Sequence, residues 1–286
     1  MPITEEVLKK IEQLPTLPMV VTRIMQLIEN PKTSAAEITK VISLDPALTV
    51  KILKLVNSAY YGFPKKITTI THAIMILGFE DVKNIALSVS VFDIFKDDGS
   101  VENVFDRTAF WQHAIAVGVC TKLLAKKLRY KNTEEAFIAG LLHDVGKIVI
   151  DQFFHHELVE IMKVVKEENC LFINAERKLF DMDHTEVGRI VARKWGLPQQ
   201  IADCVAFHHD PTMREDLSIL VSMVHASDIF VRIQKIGSGG DNLVPQLKKE
   251  AWAKLKLQPA ELKKMYEELH IEVEKADAFL EFTGKK

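Results

Sequence analysis

Cysteine is scarce and scattered. Only Cys120, Cys170 and Cys204 occur in 286 residues, with no C-x-x-C pair, so neither a disulfide framework nor a thiolate zinc site is expected. Charge of one sign is lacking too. The net charge is −2, which offers no global attraction to nucleic acid or to an anionic membrane. No run approaches 18 uninterrupted apolar residues, so no membrane span is expected. The opening MPITEEVLKKIEQLP is charged and amphipathic, unlike a signal peptide. Strand-like alternation of any length is missing, and the 12 glycines rarely punctuate hairpins. There is no internal repeat and no low-complexity tract. A hydrophobic fraction of 48% beside 27% charge argues against disorder. These absences leave a globular, cytosolic protein of one large or two ordinary domains.

Helical periodicity fills the chain instead. Val20, Ile24, Leu27 and Ile28 form one apolar stripe, and Ile52, Leu53 and Val56 belong to another. Ser34 precedes Glu37 by three residues, the spacing of a capping box. Asp45-Pro46 reads as a cap followed by an N1 proline. Thr133-Glu134-Glu135 and Asp183-His184-Thr185-Glu186 look like further helix starts. The fold class expected is all-α. A polar turn at Lys96–Ser100 and the flexible stretch Gly237-Ser238-Gly239-Gly240 mark seams. They divide the chain into an N-terminal helical part (1–100), a core (101–236), and a flexible linker with C-terminal helices (237–286). The Gly-Ser-Gly-Gly stretch lacks the Lys-Ser/Thr of a phosphate loop and reads as a linker.

GLLHDVGKIVI, residues 140–150, is apolar except for His143, Asp144 and Lys147. Burying these groups is costly unless they are paired or bound to something. Most of the ten histidines fall between His113 and His225, including His143, His184 and His208-His209. Imidazole and carboxylate suit borderline metals, and two-metal hydrolytic centres hold their ions about 3.5–4 Å apart. Blander readings stand beside this one. His113 in an apolar helix reads as a hydrogen-bonded core residue, His155-His156 as solvent-facing, and His208-His209 as a helix terminus favoured by the dipole. Asp228 in an apolar helix is harder to dismiss, since an unpaired buried carboxylate is expensive. From these residues alone, a metal site and a structural polar cluster both stand.

His113, then His143-Asp144 in HDVGK, then a distant Asp228, resembles the HD superfamily of metal-dependent phosphohydrolases. His184 and His208-His209 resemble the extra histidines of its HD-GYP branch. LPTLPMVVTRIMQLIENP, SLDPALTVKILKLVNSAYYGF and ITTITHAIMILGFEDVKNIAL are similar to the HDOD (HD-related output domain) family, over about residues 10 to 235. That resemblance implies a multi-helical HD-domain-like bundle and a bacterial signal-transduction module, in a family where many members have lost the metal ligands. Carried over position by position, it implies a first metal at His113, His143, Asp144 and Asp228. A second would lie at His184, His208 and His209, with Asp144 as the bridge. Two divalent ions are implied, iron or manganese ahead of zinc, nickel or magnesium, because the donors are N and O only. Asp144 and Lys147 would be the catalytic pair, Lys147 neutralising a substrate phosphate.

The chain departs from HD-GYP as well. DPTMREDLS follows His209 with no Gly-Tyr-Pro, and Ala109 stands where a further acidic ligand would fall. A third metal and cyclic di-GMP hydrolysis are therefore not implied. Two functions stay open: a metal-holding signalling protein with a protein partner, and a phosphohydrolase or phosphodiesterase acting on a phosphate-containing small molecule. Neither calls for nucleic acid or a membrane. Arg177, Lys178, Arg189 and Arg193 flank His184 as either a phosphate site or an ordinary solvated face. Asn57–Gly62 is either a functional surface or a packed cap.

Overall fold

The computed structural model describes residues 13–96, 104–180, 182–214 and 216–284. The amphipathic opening before residue 13 and the polar turn at 97–100 lie outside the described residues. Among the described residues there are α-helices and short 3-10 turns and no strand, so the fold is all-α as expected. None of these helices is long and apolar enough to cross a membrane.

The chain forms two compact units. One gathers 15–96 and 274–284. Its helices are α1 (Met19–Ile28), α2 (Ala35–Ile42), α3 (Pro46–Val56), α4 (Ile70–Leu77) and α5 (Phe79–Ile94). Ser34 and Glu37 form the capping box of α2, each bonding the other's backbone amide. Asp45 caps α3 by accepting the Leu48 amide at 2.9 Å. The α1 stripe sits one residue away from the expected register: Val21 and Ile24 are buried, while Val20, Leu27 and Ile28 are half-buried. Leu17, just before the helix, is buried along with Val21 and Ile24. The Asn57 side chain donates to Leu53 O and Ile67 O and accepts from Ile67 N. That closes α3 onto the following loop, which makes Asn57 a cap.

The other unit holds 104–273. It contains α6 (Arg107–Lys127), α7 (Thr133–Leu142), α8 (Val145–Phe153), α9 (His155–Glu168), α10 (Phe172–Leu179), α11 (His184–Lys194), α12 (Gln199–Phe207), α13 (Ile219–Ile233), α14 (Lys249–Leu255) and α15 (Leu262–Ala276), whose last residues fall to the first unit. Helices α6, α7, α8 and α13 are buried along most of their length. α8 lies against α11 and α13 against α6, which brings segments distant in sequence to one place. Gly146 permits the α8–α11 approach: a Cβ there would lie 1.9 Å from His184 O.

The three-part division needs correcting at its end. Gly237–Gly240 does not separate units, because residues up to 273 belong with the core. Nor does this stretch loosen the chain. Ser238 N donates to Ala109 O at 2.9 Å, and a Cβ on Gly237 would lie 2.3 Å from His113 N. Without side chains the backbone packs directly on α6.

Candidate metal centre

GLLHDVGKIVI is two helices meeting at a corner. His143 is the C-cap of α7 and Asp144 the N-cap of α8. Neither reaches solvent. His113 projects from the middle of α6 and Asp228 from α13. His184 opens α11, whose first turn is capped by Asp183 through the Thr185 and Glu186 amides. His208 closes α12, and His209 follows it.

These seven residues fall into two groups. Asp144, His184, His208 and His209 form one, and His113, His143 and Asp228 the other; within each group one donor atom per residue lies within 4.8 Å of every other. Two donors on a single ion at about 2.0–2.2 Å are at most about 4.4 Å apart, so only a slight contraction would be needed. Asp144 stands between the groups. Its Oδ1 is 3.2 Å from His184 Nε2 and 3.3 Å from His208 Nε2, while its Oδ2 is 3.3 Å from His143 Nε2. His184 and His209 meet Nε2 to Nε2 at 3.0 Å, and His113 Nε2 lies 3.0 Å from Asp228 Oδ1.

The hydrogen bonding around the groups suits metal ligands. Asp144 Oδ1 and the Nε2 atoms of His113, His143 and His208 are buried without a hydrogen-bond partner. Orphans of this kind are rare in proteins and call for an ion or water. The far nitrogens are occupied: His143 Nδ1 donates to Gly140 O at 2.7 Å, His208 Nδ1 to Val205 O at 3.0 Å, and His184 Nδ1 to Glu176 Oε2 at 2.5 Å. With Nδ1 as donor, the Nε2 atoms of His143 and His208 keep a lone pair toward the centre, the tautomer that metal-bound histidines adopt. The residues fit a pair of divalent ions.

Two buried cations back the carboxylates. Lys147 Nζ donates to Asp144 Oδ2 at 2.7 Å and to Gly239 O at 2.9 Å. It is wholly buried and holds Asp144. Arg232 donates to Asp228 Oδ1 and to Asp241 Oδ1, both at 2.9 Å. The Gly239–Asp241 loop therefore ties both carboxylates in place.

Burial works against the charge on Asp144, but the neighbouring His143 and the Lys147 ammonium overcome it and hold the pKa well below its usual value. Asp228 is likewise held well below, burial being outweighed chiefly by Arg232. Burial pushes His208 down to about 4 and lowers His113 and His209. His184 goes the other way, up to about 9, because the Glu176 carboxylate prevails over burial. A metal arriving at His184 must displace that proton.

Glu176, Arg232 and Asp241 escaped the sequence reading. Arg232, four residues after Asp228 on one helix face, carried a readable signal. Glu176 and Asp241 carried none, since only the fold brings them to the site. His225, also buried, links His208 O to the Lys248 amide and serves as a structural post. His155 differs from the solvent-facing reading: it is half-buried, 3.5 Å from Asp151, while His156 is exposed.

An all-helical protein with a His-Asp pair at a helix corner, joined by distant histidines and a distant aspartate, is of the HD class. The HDOD domain family matches residues 14–211, and the chain belongs to that family. The match takes in every residue of the two groups except Asp228. A crystal structure of an HDOD domain protein of unknown function from Geobacter sulfurreducens superposes with a TM-score of 0.79 at 26% identity, covering 96% of this chain and 95% of that one. An uncharacterized protein of Treponema pallidum is 28% identical over 225 residues, 78% of this chain and 43% of that protein. Ribonuclease Y of Deinococcus radiodurans is 29% identical over 128 residues, 43% of this chain and 18% of the enzyme. The chain thus spans less than half the length of these two curated relatives.

Proposed function

We propose that the protein is a bacterial HDOD signalling protein that holds two divalent metal ions, iron or manganese, astride Asp144. The observation that carries this reading is the set of four buried ligand atoms with no hydrogen-bond partner, on Asp144, His113, His143 and His208. Desolvated donors of this kind cost about 1–3 kcal/mol each if nothing compensates them. All the donors are N or O, with none of the thiolates that mark many structural zinc sites, and imidazole with carboxylate suits iron and manganese. Three free thiols fit a reducing cytoplasm, and the partner would be another signalling protein rather than nucleic acid or a membrane. Elemental analysis of the purified chain tests the reading. Bound iron or manganese that disappears in Asp144→Ala is expected; a metal-free wild type that takes up neither ion would refute it.

A second reading, phosphohydrolase or phosphodiesterase, is favoured by a cavity that His209 shares with two arginines. When bound, two divalent ions supply Lewis acidity for hydrolysis of a phosphate ester. The chain's own part is to fix the donors: Glu176 orients His184, Lys147 holds Asp144 as a carboxylate, and Arg232 does the same for Asp228. Turnover of phosphate esters with added Mn²⁺ or Fe²⁺, lost in Asp144→Ala, would decide for the enzyme.

A further inference from the structure

The four basic residues around His184 part company in the fold. Lys178 pairs with Glu168 at the surface, and Arg193 is exposed. Arg177 and Arg189 instead line a cavity of about 280 Å³ that also has His209 on its wall. Phe207 and Met213 give this cavity an apolar side.

Acidic residues line it too: Asp183 and Asp210 are paired with cations, and Glu186 meets a backbone amide that leaves its charge in place. Asp183 accepts from Arg177 at 2.8 Å and caps α11. Glu186 accepts the Asp183 amide at 3.3 Å, and Asp210 pairs with Lys248 at 2.7 Å. Arg189 has no such engagement: it is half-buried and forms no ion pair or hydrogen bond with a described residue. The cavity therefore presents the Arg189 guanidinium, without an ion-pair partner among the described residues, beside a histidine of the Asp144 group.

We propose that this cavity is an anion subsite that receives the phosphate of a small phosphate ester, with Arg189 as the binding charge. It rests on the metal-centre reading for what lies beyond His209. A planar guanidinium meets two phosphate oxygens at once, which a lysine ammonium does not. Phe207 and Met213 suit an apolar or planar substituent on the ester. Size narrows the class further. Ligand pockets run to about 300–1,000 Å³, so a cavity of about 280 Å³ has room for a phosphate with a compact organic group.

The test is calorimetric titration of the Mn²⁺-treated protein with inorganic phosphate and with phenyl phosphate. Wild type, Arg189→Ala, Arg189→Lys and Arg193→Ala are compared, with metal content and melting temperature measured on each. Wild type is expected to bind both, phenyl phosphate the more tightly. Arg189→Ala weakens binding about ten- to hundredfold, the usual effect of losing a charged hydrogen-bond donor. It keeps its metal and its melting temperature. Arg189→Lys recovers part of the loss, and Arg193→Ala binds as wild type does. Equal binding by wild type and Arg189→Ala overturns the subsite, as does an equal loss in Arg193→Ala. If no sample holds metal, the metal-centre reading fails on its own. Phosphate binding that still depends on Arg189 then supports the subsite, and phosphate binding that does not overturns it.

Discussion

Lys147 and Asp144, at the start of one helix, form a 2.7 Å ion pair in which neither side chain reaches solvent. The pair explains how a wholly buried carboxylate stays charged before any metal arrives. Lys147→Met leaves Asp144 without its cation. The metal-free variant is expected to lose about 3–5 kcal/mol, the usual result of removing one partner of a buried pair. Urea unfolding with and without Mn²⁺ checks this. The metal should offset much of the loss, and a variant as stable as wild type without metal would show that the pair is not what keeps Asp144 charged.

The two donor groups predict separable metal losses. His113→Ala removes a donor from one group and His209→Ala from the other, so each should lower metal content from about two ions per chain toward one. Asp144→Asn, altering the residue between them, should lower it below either. Plasma mass spectrometry on the dialysed proteins reads the difference. Identical losses in all three variants would mean a single site.

Gly146→Ala tests the approach of α8 to α11. The added methyl would sit 1.9 Å from His184 O, so the helices must separate. Overpacking of this kind costs about 1–3 kcal/mol, sometimes more. Because the shift carries His184 away from Asp144, metal affinity should fall along with the melting temperature. A destabilised variant with unchanged metal affinity would uncouple the helix contact from the site.

Stability of the metal-free protein should peak near neutral pH, and the signs follow from two histidines. His208 is down at about 4 in the folded state against an ordinary 6.5, so its contribution is present above about 6.5 and lost as pH falls through about 4. His184 is up at about 9, so its contribution is present below about 6.5 and lost as pH rises through about 9. Urea midpoints measured from pH 5 to 9 should therefore decline on both sides. A midpoint that does not decline between pH 7 and 9 would remove the Glu176–His184 proton from the account.

Much of the site was legible because its chemistry is unusual for an apolar helix. His143 and Asp144 stand out in a greasy run, and Asp228 does so for the same reason. The helix starts were legible for a local reason: Ser34, Asp45 and Asp183 each cap within three residues of themselves, which sequence spacing encodes directly. Gly237–Gly240 misled, because glycine licenses both a loose chain and a close backbone contact. Only the neighbouring α6 backbone chose between them. Lys147 stood out in the sequence as a charge in an apolar run, but its partners Asp144 and Gly239 became visible only in the fold.

The sequence by itself determined an all-helical protein through periodicity and caps, and its resemblance to the HDOD family supplied which histidines and aspartates were candidates. The tertiary structure alone decided how they group. It placed Asp144 between two clusters, brought Gly239 and Asp241 back to Lys147 and Arg232, and sorted Arg177 and Arg189 from Lys178 and Arg193. The reason is physical: these relations depend on helix-to-helix approach across 30 to 120 residues of chain, and no local spacing records which faces will meet.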